Sequence, residues 1–223
     1  MTQVLALIPA FNEAAHVAQV VTGARVHLPV LVVDDGSTDG TAACAEQAGA
    51  NVLRQNPNRG KGAALRAGFG WALNAAYQAV LTLDADGQHD PAEIPKFADA
   101  YLARGADLVI GARDFQLMPL VRRLANTTGR WAFSWAIGQP IRDNQSGYRL
   151  IGRRLLEVIL TGDEAGFEFE MEVIVTCIRR GFLLDWVPIR TIYAGERSHI
   201  RPWRHTLNFL RMVWQIRRSR GGR

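Results

Sequence analysis

"LTLDADGQHDP", Leu81 to Pro91, is the stretch on which the fold turns. An apolar run ends in two aspartates one residue apart, with a glycine directly behind them. The run reads as a buried strand and the Asp-Gly step as the turn that leaves it. Side chains alternate along a strand, so Asp84 and Asp86 are expected to point the same way at its end. Such a pair can hold Mg2+ or Mn2+ against a diphosphate, because Mg2+ typically takes one or two carboxylates plus substrate phosphates. It can equally be a solvated turn. An EF-hand is excluded, since Gln88 and His89 stand where that loop has Asp or Asn and Gly.

The same punctuation recurs upstream. "VLALI" (4–8), "VLVVD" (30–34), "NVLR" (51–54), "AVLTLD" (79–84) and "DLVIG" (107–111) read as buried strands. Helical patterns over Glu13–His27, Thr41–Ala48, Lys61–Tyr77 and Pro91–Arg104 separate them, with start signals at Thr38–Thr41 and Asp90-Pro91. Strands alternating with helices predict an α/β fold: a mostly parallel sheet with helices on both faces. Ligands bind such sheets beyond the carboxyl ends of the strands. There the polar loops "PAFNE", "DDGSTDGT", "NPNRGKG" and "DADGQ" should share one rim.

Asp34 and Asp35 end the second strand, where a carboxylate can accept from a base N–H or a ribose hydroxyl; helix capping is the plainer role. Lys61 lies between two glycines at a helix start, a place suited to a phosphate. The spacing is not that of a P-loop, and no GxGxxG is present.

The second half is less regular. Val121–Ile137 and Glu170–Arg180 look helical, "LLDWVPI" (183–189) like a strand and "AGERSHIRPWRHT" (194–206) like a loop. The charge is uneven. Residues 1–112 hold 7 basic and 11 acidic side chains, a net of −4, and residues 113–223 hold 19 and 10, a net of +9. A basic half calls for an anionic partner. The last 23 residues hold 7 arginines and no acid, with Leu207, Leu210, Val213, Trp214 and Ile216 at roughly helical spacing. This is an amphipathic basic segment, packed on the domain or lying on an anionic membrane. No run approaches the ~20 apolar residues that cross a bilayer. Two distant cysteines, Cys44 and Cys177, suggest a reducing compartment. The expected location is cytoplasmic, peripheral at the membrane face. Nucleic acid is the competing anion, but no recognised module is present and four acidic loops would repel a phosphate backbone.

Taken in order, "IPAFNE", "VVDDGSTDGT", "NRGKGAALRAGF", "LDADGQHDP" and "NQSGYRL" resemble the inverting family 2 glycosyltransferases of the GT-A fold. Within that family they are most similar to the dolichyl- and polyprenyl-phosphate mannose or glucose synthases, from about residue 3 to 190. The resemblance implies a nucleotide-sugar half (1–112), an acceptor half (113–195) and a C-terminal extension (196–223). It gives Pro9, Ala10, Asn12, Glu13 and Asp35, with Asp34, Lys61 and Asp84 beside them, to a UDP- or GDP-linked donor. Asp84, Asp86 and Gln88 go to Mg2+ or Mn2+. On the acceptor side it implies Arg113 from "VIGARD", Arg122, Arg123 and Asn126 from "RRLANTTGR", Ser146 from "DNQSGYRL" and Glu172 from "GFEFEME". Asp86, Asp143 and Arg149 are the catalytic candidates.

The implied acceptor is a polyprenyl or dolichyl phosphate. A phosphate monoester, with a second pKa of ~6, arrives ionised and needs arginines to position it. The alternative acceptor, a sugar or small-molecule hydroxyl, needs a base, and Asp143 would serve.

Overall fold

The structure is a computed structural model describing residues 4–162, 169–190 and 202–220. A seven-stranded sheet has the order β3-β2-β1-β4-β6-β5-β7. Its strands are β1 (Val4–Ala10), β2 (Val30–Asp34), β3 (Asn51–Arg54), β4 (Ala79–Thr82), β5 (Leu108–Arg113), β6 (Arg149–Gly152) and β7 (Leu184–Ile189). The first four strands are parallel, as their connecting helices require. These connections are α1 (Val17–Arg25), α2 (Thr41–Gln47) and α3 (Lys61–Asn74).

Period-2 alternation divides the core between the two sheet faces. Leu5 and Leu7 of β1 join one cluster, which contains Phe69 of α3, Phe133 of α5 (Leu120–Ile137), Leu155 of α6 (Arg153–Thr161) and Ile174 of α7 (Phe169–Arg179). Val4, Ala6 and Ile8 join the other, beneath α1 and α4 (Ile94–Arg104). The α3 helix crosses β1 so closely that a Cβ on Gly68 would lie 2.4 Å from Leu7 Cδ1. The final helix, α8 (Pro202–Arg220), buries Met212, Val213 and Ile216 in the first cluster.

The sequence predicts no element over residues 149–161. They form β6 and α6, and β6 runs antiparallel between β4 and β5. Its four-residue run is too short for a periodicity signal, and only its neighbours define it as a strand. The expected loop over 194–206 is corrected from Pro202 onward, which is already helical; its first part, 194–201, lies outside the described residues.

The antiparallel insertion positions the site. Arg149 opens β6 opposite Thr82, which closes β4. The loop entering β6 therefore meets the rim that the parallel strands leave. Arg113, closing β5, reaches the same rim.

Candidate active site

All four loops of the first half meet in a cavity of about 500 Å³. Pro9, Ala10, Phe11 and Glu13 follow β1, Asp35 follows β2, and Asn58, Gly60 and Lys61 follow β3. Asp84, Ala85 and Asp86 close the cavity after β4. Phe11 and Asn58 lie in the expected loops "PAFNE" and "NPNRGKG" but are not singled out by the sequence.

Several of the expected donor residues brace these loops. Asn12, at φ 55°, donates its backbone N–H to Ser37 Oγ (2.9 Å), and its Oδ1 accepts from the Thr38 N–H (2.9 Å). Asp34 is buried and accepts from the Ser37 N–H at 3.1 Å. Asp35 accepts the N–H of Arg59 at 2.9 Å and of Gly60 at 2.7 Å, fixing the approach to α3. Asp34 and Asn12 thus stand behind the cavity, whereas Asp35 both supports and lines it.

Lys61 lies across the floor. Its ammonium is 2.7 Å from Asp84 Oδ1 and 3.0 Å from Glu170 Oε1 of α7. Burial opposes its charge, but the two carboxylates outweigh burial and hold its pKa above the ordinary lysine value. Burial likewise raises the Asp84 pKa, and the Lys61 ammonium overrides it, pulling the value down to about 2. Gly147 is packed against this pair: a Cβ there would lie 3.0 Å from Asp84 Oδ2 and 3.1 Å from Lys61 Nζ. Glu170 was not legible in the sequence, since the start of α3 and α7 meet only through the fold.

The Asp84–Asp86 turn is supported from behind. The Asp84 N–H donates to His89 Nδ1 at 3.0 Å, so the ring carries its proton on Nε2. Burial lowers the His89 pKa, against the pull of Asp84, and keeps the ring neutral. His89 stacks on Tyr148 at 4.9 Å, whose hydroxyl donates to the Asp90 carbonyl at 3.1 Å. Asp86 Oδ1 accepts from the Gln88 N–H (2.9 Å).

The donor set suits a hard divalent cation. Asp84 and Asp86 both line the cavity, and Asp84 already draws a cationic group to 2.7 Å. Among the described residues no cluster of three His, Cys, Asp or Glu side chains surrounds a metal position. The remaining coordination would fall to diphosphate oxygens and water, as is usual for Mg2+.

Beside the cavity, Asp143 is completely buried. It forms a fork with Arg113, whose Nε lies 2.6 Å from Oδ2 and Nη2 2.9 Å from Oδ1. The N–H groups of Gln145 and Ser146 also donate to Oδ1, at 3.0 and 3.2 Å. Arg149 is buried too. Its Nε donates to the Ser146 carbonyl at 2.6 Å and its Nη2 to the Asn144 carbonyl at 3.3 Å, while Nη1 reaches the Glu170 carbonyl. Burial lowers its pKa to about 10, with Glu170 and Asp143 opposing, so it remains a cation at neutral pH. Arg149 holds the 144–146 loop to the start of α7. Ser146 Oγ is buried and has no hydrogen-bond partner among the described residues.

The other acceptor candidates are dispersed. Arg123 is exposed on α5, and Asn126 donates to the Met118 sulfur at 3.2 Å. The side chain of Arg122 lies outside the described residues. Glu172 is buried and pairs with Arg66 of α3, a contact the sequence did not announce.

A mostly parallel sheet with a carboxylate pair and a basic corner on its carboxyl rim is the arrangement expected of a GT-A glycosyltransferase. Residues 6–159 match the model of Glycosyl transferase family 2, and the chain belongs to that family. It is 35% identical over 203 residues to the polyprenol monophosphomannose synthase of Mycolicibacterium smegmatis, covering 83% of this chain and 76% of that protein. It is 34% identical over 205 residues to the undecaprenyl-phosphate mannosyltransferase of Micrococcus luteus, covering 84% and 82%. Among solved structures, glucosyl-3-phosphoglycerate synthase from Mycobacterium tuberculosis, in complex with Mn2+, UDP-glucose and phosphoglyceric acid, shares the fold. The TM-score is 0.72 at 22% identity, covering 99% of this chain and 80% of that one.

Proposed function

We propose that this glycosyltransferase is inverting and metal-dependent, and moves a hexose from a UDP- or GDP-linked donor to a polyprenyl phosphate. The observation that carries the acceptor is the state of Asp143. Its two oxygens are engaged by the Arg113 fork and three backbone N–H groups, and the side chain has no exposed surface. A carboxylate so committed is a poor general base, because taking a proton would break a charge-assisted fork. An acceptor that arrives already ionised needs none. The names of the two mannosyl-transferring relatives support the same acceptor.

In this reading Asp35 and the β1 loop hold the nucleoside, while Asp84 and Asp86 hold the divalent ion. When bound, that ion supplies Lewis-acid stabilisation of the departing diphosphate. Lys61 adds a cation on the same side, at the start of α3. Arg113, oriented by Asp143, directs the acceptor phosphate at the anomeric carbon from the opposite face, which inverts the centre. Asp143 thus acts through Arg113 and Arg149 through the loop it holds. The place of work is the cytoplasmic membrane surface, with α8 facing the anionic lipid. No described helix is long and apolar enough to cross a membrane.

Transfer of radiolabelled sugar should be measured to a polyprenyl phosphate and to the polyprenol of the same chain length. Transfer to the phosphate alone is expected. Equal or preferential use of the alcohol would assign a hydroxyl acceptor.

A further inference from the structure

The outer face of α5 is an anomaly for a soluble domain. Leu120, Val121, Leu124, Trp131 and Trp135 are all exposed, Val121 at 85% and Trp131 at 69%. At about 100° per residue they fall within one arc of about 100° on the helix, opposite the buried Phe133, Ala136 and Ile137. Scattered apolar residues on a surface are ordinary; a stripe with two tryptophans, broken only by Thr128, marks a contact. Leu210 and Trp214 of α8 are exposed as well, while Met212, Val213 and Ile216 of that helix face inward. The Arg217 guanidinium lies over the Trp135 ring at 4.9 Å and the Arg218 guanidinium over Trp214 at 3.4 Å, which joins the two helices into one surface.

We infer that α5 and α8 together form a bilayer-docking platform, with the α5 stripe entering the headgroup region of an anionic membrane. The inference deepens the proposed function, on which it rests for its purpose but not for its physical basis. Charge decides the occupant. The two helices carry eight arginines and no acidic residue. Anionic lipid complements such a face, and exposed indole and leucine side chains suit the interfacial layer. A second copy of this chain is disfavoured, since a two-fold contact would set arginine against arginine. The segment expected from sequence to meet the membrane was the C-terminal one alone. In the folded protein α8 spends one face on the core, and among the described side chains the larger apolar share of the platform belongs to α5.

The test uses the full chain and vesicles of phosphatidylcholine with or without phosphatidylglycerol, free of any prenyl phosphate and of donor. The protein should sediment with the anionic vesicles at low salt, be released by high salt, and show a blue-shifted tryptophan emission. Trp131→Gln with Trp135→Gln should weaken partitioning by at least about tenfold, since two indoles leave the interface. Both rings are exposed, so the variant should fold; an unchanged urea midpoint checks this. Arg217→Gln with Arg218→Gln should lose the preference for anionic over neutral vesicles. Partitioning of the tryptophan variant equal to wild type would overturn the platform. So would a dimer in gel filtration that the tryptophan substitutions dissociate, without vesicle binding. Because no acceptor is present, vesicle binding without sugar transfer to any prenyl phosphate would sink the proposed acceptor and leave the platform standing.

Discussion

Asp143→Ala should destabilise the protein by about 3–5 kcal/mol, the range seen when one partner of a buried ion pair is removed. The change removes both oxygens that face the Arg113 fork and leaves the Gln145 and Ser146 N–H groups without acceptors. Against a total stability of about 5–15 kcal/mol, that is a large fraction. The urea midpoint checks it. Asp143→Asn is the more informative enzyme, since its remaining carbonyl can still accept from the two N–H groups. It sets an amide against the guanidinium, so Arg113 loses its orientation and turnover falls. If Asp143 orients Arg113, the pH profile of kcat/KM keeps its shape in Asp143→Asn, following the ionisation of the acceptor phosphate. Loss of the profile's ascending limb in that variant would make Asp143 the base.

Lys61→Met should separate metal binding from catalysis. With no donor bound, the ammonium is the counter-ion of Asp84, so removing it leaves a carboxylate that a divalent ion can neutralise instead. Mn2+ alone should bind the variant several-fold more tightly. Turnover should nevertheless fall by about 10²–10³, the usual cost of losing one group that stabilises developing charge. Titration with Mn2+ and steady-state kinetics check the two halves. Weaker Mn2+ binding would mean that Lys61 does not compete with the ion.

The same pair gives a pH dependence. The folded Asp84 pKa is about 2, below its ordinary value of 3.8. Its contribution to stability is therefore present above about pH 4 and lost as pH falls through 2. Lys61→Met should lack this component of acid destabilisation.

The donor half was legible because its signals are local. Apolar runs that stop at Asp35 and Asp84, and a glycine-flanked helix start at Lys61, place those residues on one rim once the strands are parallel, and the cavity brings them together. The acceptor half was less so. Arg149 stands among the catalytic candidates from its place in "SGYR", and the antiparallel insertion of β6 buries it among backbone carbonyls. Glu170 and Glu172 are two residues apart, and sequence could not say that the first would meet Lys61 and the second Arg66. That choice is made by the packing of α7 on α3. The division of α8 between core and surface was likewise open until α5 supplied the other wall.

Calorimetric titration of UDP and GDP, with and without Mn2+, into the intact protein and into Asp86→Ala tests the donor site most directly. One nucleotide should bind in a metal-dependent manner, and that binding should be lost in the variant. If neither nucleotide bound under any condition, or Asp86→Ala bound as wild type does, the four-loop cavity would not be the donor site.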